Sequence, residues 1–159
     1  MEGSASGPQQ PVDPDLVEGD GGAVHLRPSS IMLVWLGGTL GTGSRYLLTA
    51  VTPRPLQLPL AIFMINVVGA FLLGALIERL AIASPDRGAR RRIGLLAGTG
   101  FLGGFTTYSA LAMDSVSLLH ASRPAAGGAY ALGTLVLGAA ASRLGMWVGR
   151  LGHRGLEAR

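Results

Sequence analysis

The chain has 159 residues, 48% of them hydrophobic and only 14% charged, where an ordinary soluble domain carries about 25% charge. With a mean hydropathy of +0.43, this composition points to a membrane protein, and the absence of cysteine excludes disulfides and thiolate metal sites. The net charge of +4 and pI near 10.6 come from 13 arginines and no lysine. We read the arginine-only usage as a GC-rich coding bias. These arginines stand mostly between apolar runs, where they orient a membrane protein, so no nucleic-acid partner is expected.

Residues 1–30 are polar and carry five acids, Glu2, Asp13, Asp15, Glu18 and Asp20. They lack an apolar core and any helical period, so a disordered tail is predicted. No basic region leads into an apolar core, which argues against a secretory signal. Four apolar runs follow, at 31–51, 58–83, 93–119 and 125–148. Each reaches the roughly 20 residues that a spanning helix needs. The gaps between them are short: TPRPLQ at 52–57, SPDRGARRR at 84–92 and HASRP at 120–124. The expected fold is an all-α membrane protein: a four-helix membrane domain at 31–150, with a short tail at 151–159.

With four spans, both termini and the second loop share one side. That side holds nine arginines (Arg27, Arg79, Arg87, Arg90, Arg91, Arg92, Arg150, Arg154 and Arg159), and the other holds two, Arg54 and Arg123. Arg45 and Arg143 fall within spans. Nine against two predicts cytoplasmic termini by the positive-inside rule.

Polar residues inside spans are expensive and are functional candidates by default. In the first span, Gly37, Gly41 and Arg45 recur every fourth residue. That face is either a close-packing surface with Arg45 reaching to the span's end, or it makes Arg45 a fixed positive charge in a vestibule. In the second span, Asn66 shares a face with Gly69, Ala70 and Gly74. It is either interhelical glue or a source of two N–H donors for an anion. The third span holds GTGFLGGFTTYSALAMD at 98–114, and glycine costs about 1 kcal/mol against alanine in a helix. The cluster reads either as a glycine-rich packing kink or as a break near Gly103 to Thr107, tolerated at membrane depth only against protein or a cavity. Such a break exposes carbonyls at one end and N–H groups at the other, and Thr106, Thr107 and Ser109 add hydroxyls. In the fourth span, Tyr130, Thr134, Gly138 and Ser142 lie at intervals of four, as packing groups or as a polar track.

Taken together, GGTLGTGSRY, INVVGAFLLG, GFLGGFTTYSALAMD and YALGTLVLG, one on each span in order, resemble the four signatures of the Fluc/CrcB fluoride-channel family. The resemblance covers about 37–145. It implies a fluoride-selective channel of the bacterial plasma membrane, an antiparallel dimer with two pores, and a third helix broken at mid-membrane. It also implies a buried Na⁺ on the dimer axis, held by the main-chain carbonyls of Gly103 and Thr106. Asn66 would donate to fluoride; Thr107, Tyr108, Ser109, Leu111, Tyr130 and Thr134 would line the path; Arg45 would sit in the vestibule. Three places depart from the pattern: Tyr108 and Leu111 stand where the family usually has phenylalanines, and Asp114 replaces the usual glutamate. Family homodimers insert both ways and need balanced charge, so the arginine bias favours a heterodimer with an oppositely oriented paralogue over a homodimer.

Two other classes fit four short spans. A small multidrug exporter needs a membrane carboxylate, but the first two spans have no acid before Glu78, and Asp114 is the sole candidate. A non-transporting assembly subunit explains the spans but not the break. No phosphate loop or metal-ligand cluster suggests an enzyme.

Overall fold

The computed structural model describes residues 27–53, 59–83 and 86–157, with side chains described at all of these except 83 and 152–157. Residues 1–26 of the expected 1–30 tail, Arg54, and the side chains of Arg154 and Arg159 lie outside them, while Pro28–Ser30 are helical, forming the start of α1 and not part of a disordered tail. Among the described residues every regular element is helical. Helix α1 spans Pro28–Val51 and α2 Leu60–Ala83; α3 (Arg87–Ile93) runs on into a π-helical stretch, Gly94–Leu102, and then α4 (Gly103–Phe105). Tyr108–His120 forms α5 and Pro124–Glu157 forms α6.

The boundaries follow from local chemistry. Pro28 takes the first turn of α1, where its missing N–H costs nothing, and Pro53 follows its last turn. Asp86 caps α3 by accepting from the Gly88 N–H at 2.8 Å. Inside α1, the hydroxyls of Thr39 and Thr49 donate to the carbonyls of Trp35 and Arg45, at 2.9 and 2.7 Å. This satisfies them without a partner helix.

Helices α2 and α6 pack along each other, while α1 packs against the π-helical stretch and α4. The second contact is backbone on backbone. A Cβ placed on Gly100 would stand 2.9 Å from the Gly37 Cα, and one on Gly41 would collide with the Phe101 carbonyl. The glycine cluster of the third run therefore stays helical and serves close approach to α1. Helical geometry stops only after Phe105: Thr106 (φ −76°, ψ 156°) and Thr107 (φ −152°, ψ 123°) are extended, and α5 resumes at Tyr108. The residues that leave the helix are thus two β-branched threonines, which lose side-chain freedom in a helix, and not the glycines.

The buried core is small: Ile62, Ile65, Phe105, Leu111, Leu118 and Tyr130, with Phe101 stacked on Phe105 at 5.8 Å. Large apolar side chains cover the outside instead, among them Trp35, Leu47, Val51, Leu132 and Val136. Among the described residues two helices, Leu60–Ile82 and Pro124–Leu151, are long and apolar enough to cross a membrane, and only 22% and 11% of their most apolar 18-residue stretches is buried. An outside this apolar needs lipid or another chain against it.

One end of the bundle gathers charge. Arg91 Nη2 donates to the buried Ser30 Oγ at 3.0 Å, tying α3 to the start of α1. Arg150 Nε pairs with Glu78 Oε1 at 2.7 Å, tying the C-terminal parts of α6 and α2. Arg27, Arg79, Arg87, Arg90 and Arg92 neighbour these residues in sequence. Arg123 precedes α6 at the opposite end, about 40 Å away at 1.5 Å per residue.

Candidate functional site around the Thr106–Thr107 interruption

Two helices, α2 and α1, supply side chains to the interruption and to the α4 backbone just before it, and the two threonines add their own. From α2, Asn66 clasps Thr107 on both sides: Oδ1 accepts its N–H at 2.8 Å, and Nδ2 donates to its carbonyl at 3.0 Å. From α1, Arg45 Nε donates to the Gly104 carbonyl at 3.2 Å, and Thr42 Oγ1 reaches the same oxygen at 3.4 Å. From within the strand-like turn, Thr107 Oγ1 accepts the Ala110 N–H at 3.2 Å and so caps α5. Thr106 Oγ1 donates back to the Leu102 carbonyl at 2.9 Å.

These bonds change what the backbone offers. In a continuous α-helix the Gly103 carbonyl would accept from Thr107 N–H, and the Thr106 carbonyl from Ala110 N–H. Both N–H groups are drawn to side chains instead. Gly103 and Thr106 thereby lose their i+4 donors, while Gly104 between them is served by Arg45.

Two cavities flank the interruption. One of about 360 Å³ is lined by Asn66, Thr106, Thr107, Tyr108, Leu111 and Thr134. It brings together five of the seven residues expected on an anion path. Tyr108 is 79% exposed there, whereas Leu111 is buried and also belongs to the core. The other cavity, about 450 Å³, holds Thr42, Arg45, Thr49, Ser109 and Asp114. Ser109 thus lies apart from the first group, although its hydroxyl is 3.1 Å from Thr107 Oγ1 and links the two cavities. Tyr130 lines neither. It is buried, with its O–H donating to Asp114 Oδ2 at 3.3 Å. The Thr134 hydroxyl donates to the Tyr130 carbonyl at 2.7 Å.

Thr42 and Thr49 were not among the expected site residues. They stand three before and four after Arg45, so the same helical face carries all three. That spacing is a sequence signal, though a weaker one than the glycines of the same helix. The Asp114–Tyr130 contact had no comparable signal, because it joins two elements.

Fold and site together define an all-helical membrane protein whose polar groups are collected around a two-residue interruption between helices. Residues 32–146 match the family described as CrcB-like protein, Camphor Resistance (CrcB). The chain belongs to this family. It is 50% identical over 126 residues to the fluoride-specific ion channel FluC 2 of Leifsonia xyli subsp. xyli, covering 79% of this chain and 87% of the relative. It is 44% identical over 119 residues to FluC 1 of Cutibacterium acnes, covering 74% and 83%. Against FluC 1 of Ligilactobacillus salivarius it is 38% identical over 119 residues, covering 74% and 97%.

Proposed function

We propose that the chain is a subunit of a passive, fluoride-selective ion channel of the bacterial plasma membrane that lowers cytoplasmic fluoride. It is a channel and not an enzyme. The observation that carries this reading is the convergence of Asn66, Thr107, Tyr108 and Thr134 on one cavity beside the interruption. Fluoride is small and strongly hydrated, so a pore must replace its water with donors. The Asn66 amide has a second N–H beyond the one given to Thr107, and the Thr107, Ser109 and Thr134 hydroxyls can rotate from their present acceptors. Outside in acid, HF crosses the bilayer uncharged and dissociates within. An inside-negative potential, about 2.3 kcal/mol per charge per 100 mV, then drives the anion out through a channel.

In this reading four spans cross the bilayer, residues 31–150 form the channel domain, and both termini are cytoplasmic. The interruption lies at mid-membrane, and Arg45 lines the vestibule with Ser109 and Asp114. A resident Na⁺ fits the interruption because Gly103 and Thr106 have each lost an i+4 donor, and neutral carbonyl oxygens are the ligands that replace an alkali ion's water. Bound there, it supplies a fixed positive charge beside the anion path. The partner is an oppositely oriented paralogue. The arginine asymmetry supports this, as do the numbered names of the relatives and the exposed Tyr108, whose ring is open to a second chain.

The test is efflux from liposomes holding the purified chain, alone and with the paralogue, under a potassium gradient with valinomycin. Fluoride release without ethidium release is expected. No fluoride release in either preparation overturns the reading. Reporter fusions at the C-terminus test the partnership: a cytoplasmic signal alone is expected, and comparable signals from both sides, with fluoride release by the chain alone, refute the heterodimer.

A further inference from the structure

We infer that Asn66 is a positioning residue of the interruption: by holding Thr107 extended it keeps the Gly103 carbonyl open for a cation. The inference rests on the Na⁺ reading above for its ligand, but not for its geometry. Asn66 matches a backbone edge: one amide supplies an acceptor and a donor to the N–H and carbonyl of a single residue, at 2.8 and 3.0 Å. That pairing is the one an adjacent β-strand would make, and Thr107 has the matching extended angles.

The consequence is directional. Turning the Thr107 N–H toward α2 removes it from Gly103, four residues back. Without Asn66, two backbone groups of the interruption lose their partner in an apolar surrounding, where each unsatisfied group is costly. The repair nearest to hand is for Thr107 to turn helical and give its N–H to Gly103. That would close the carbonyl proposed for the cation. Gly103 itself offers no steric bar, since it is exposed and a Cβ there would meet its nearest atom only at 4.0 Å.

This role separates from a role in donating to fluoride, because the two need opposite ends of the amide. The acceptor Oδ1 diverts the Thr107 N–H; the donor Nδ2 would serve an anion. Asn66→Asp keeps an acceptor and loses the donors. Asn66→Leu loses both at similar volume, and Asn66→Ala is a smaller truncation for use should the leucine variant not fold.

The experiment uses the full chain in nanodiscs without fluoride, with Na⁺ as the probe and N-methylglucamine as its replacement. Two quantities are read: the Thr107 Cα and Cβ NMR shifts, which report backbone conformation, and the Na⁺ concentration giving half of the maximal rise in thermal unfolding temperature. The expected result is extended-type Thr107 shifts in the parent and in Asn66→Asp, with Na⁺ midpoints within about threefold of each other. Asn66→Leu and Asn66→Ala should show helix-type Thr107 shifts and a midpoint raised at least tenfold. Asn66→Asp should also fail to conduct fluoride while keeping its Na⁺ response. Extended Thr107 shifts in the leucine or alanine variant, or an unchanged Na⁺ midpoint in either, overturn the inference. A parent chain that ignores Na⁺ refutes the cation reading instead, and the Thr107 shifts then decide the positioning role by themselves.

Discussion

Alanine at Gly37 and alanine at Gly43 are the same substitution six residues apart in α1, yet the packing implies opposite outcomes. Replacing a mid-helix glycine with alanine gains about 1 kcal/mol of helix propensity at either site. At Gly43 nothing lies within 4 Å of the new methyl, so the gain stands. At Gly37 the methyl would overlap the Leu96 carbonyl and stand 2.8 Å from the Phe101 nitrogen and 2.9 Å from the Gly100 Cα. All three are backbone atoms of the π-helical stretch, which cannot swing aside as a side chain would. Overpacking costs about 1–3 kcal/mol, and a rigid backbone neighbour places this case at the upper end. The expected net effects are about 1 kcal/mol of stabilisation at Gly43 and about 2 kcal/mol of destabilisation at Gly37. The gap of about 3 kcal/mol is some two powers of ten in the unfolding equilibrium. Reversible unfolding of the monomeric chain in detergent, followed by circular dichroism, measures both variants against the parent. Shifts of the same sign would refute the claim that backbone contact requires glycine at Gly37.

Other substitutions test the site's supports. Arg45→Lys keeps the charge but replaces the planar Nε–H that reaches Gly104; a loss of about 1–2 kcal/mol in the same unfolding assay is expected, and a stability equal to the parent's would show that the contact contributes nothing. Thr107→Ala removes the cap on the Ala110 N–H and should cost about 1 kcal/mol, while Thr107→Ser should recover most of it; equal losses from both would rule out the cap. Tyr130→Phe removes the O–H donor to Asp114. It should lower fluoride release more than it lowers stability if the pair supports the path; equal stability with unchanged release would mark the contact as incidental.

The apolar runs were legible because hydrophobicity is a local property. Each run needs only its own residues to be recognised, and the expected 31–51 and 58–83 fall close to helices Pro28–Val51 and Leu60–Ala83. The candidate polar residues were legible for the same reason: Asn66 and Arg45 stand out against apolar neighbours at once. Which residues leave the helix was not. The expected break, Gly103 to Thr107, takes in both threonines but does not single them out from Gly103–Phe105, which stay helical as α4; upstream, Gly100 lies against Gly37. The two threonines are extended because an amide 41 residues earlier in the chain takes the N–H that would continue the helix. Tertiary structure also decided the grouping of the site. Thr107 and Ser109 are two residues apart yet line different cavities, while Asn66 and Thr134, from separate helices, line the same one. Sequence spacing sets which face of a helix a residue occupies. Only the packing of one helix on another sets what that face meets.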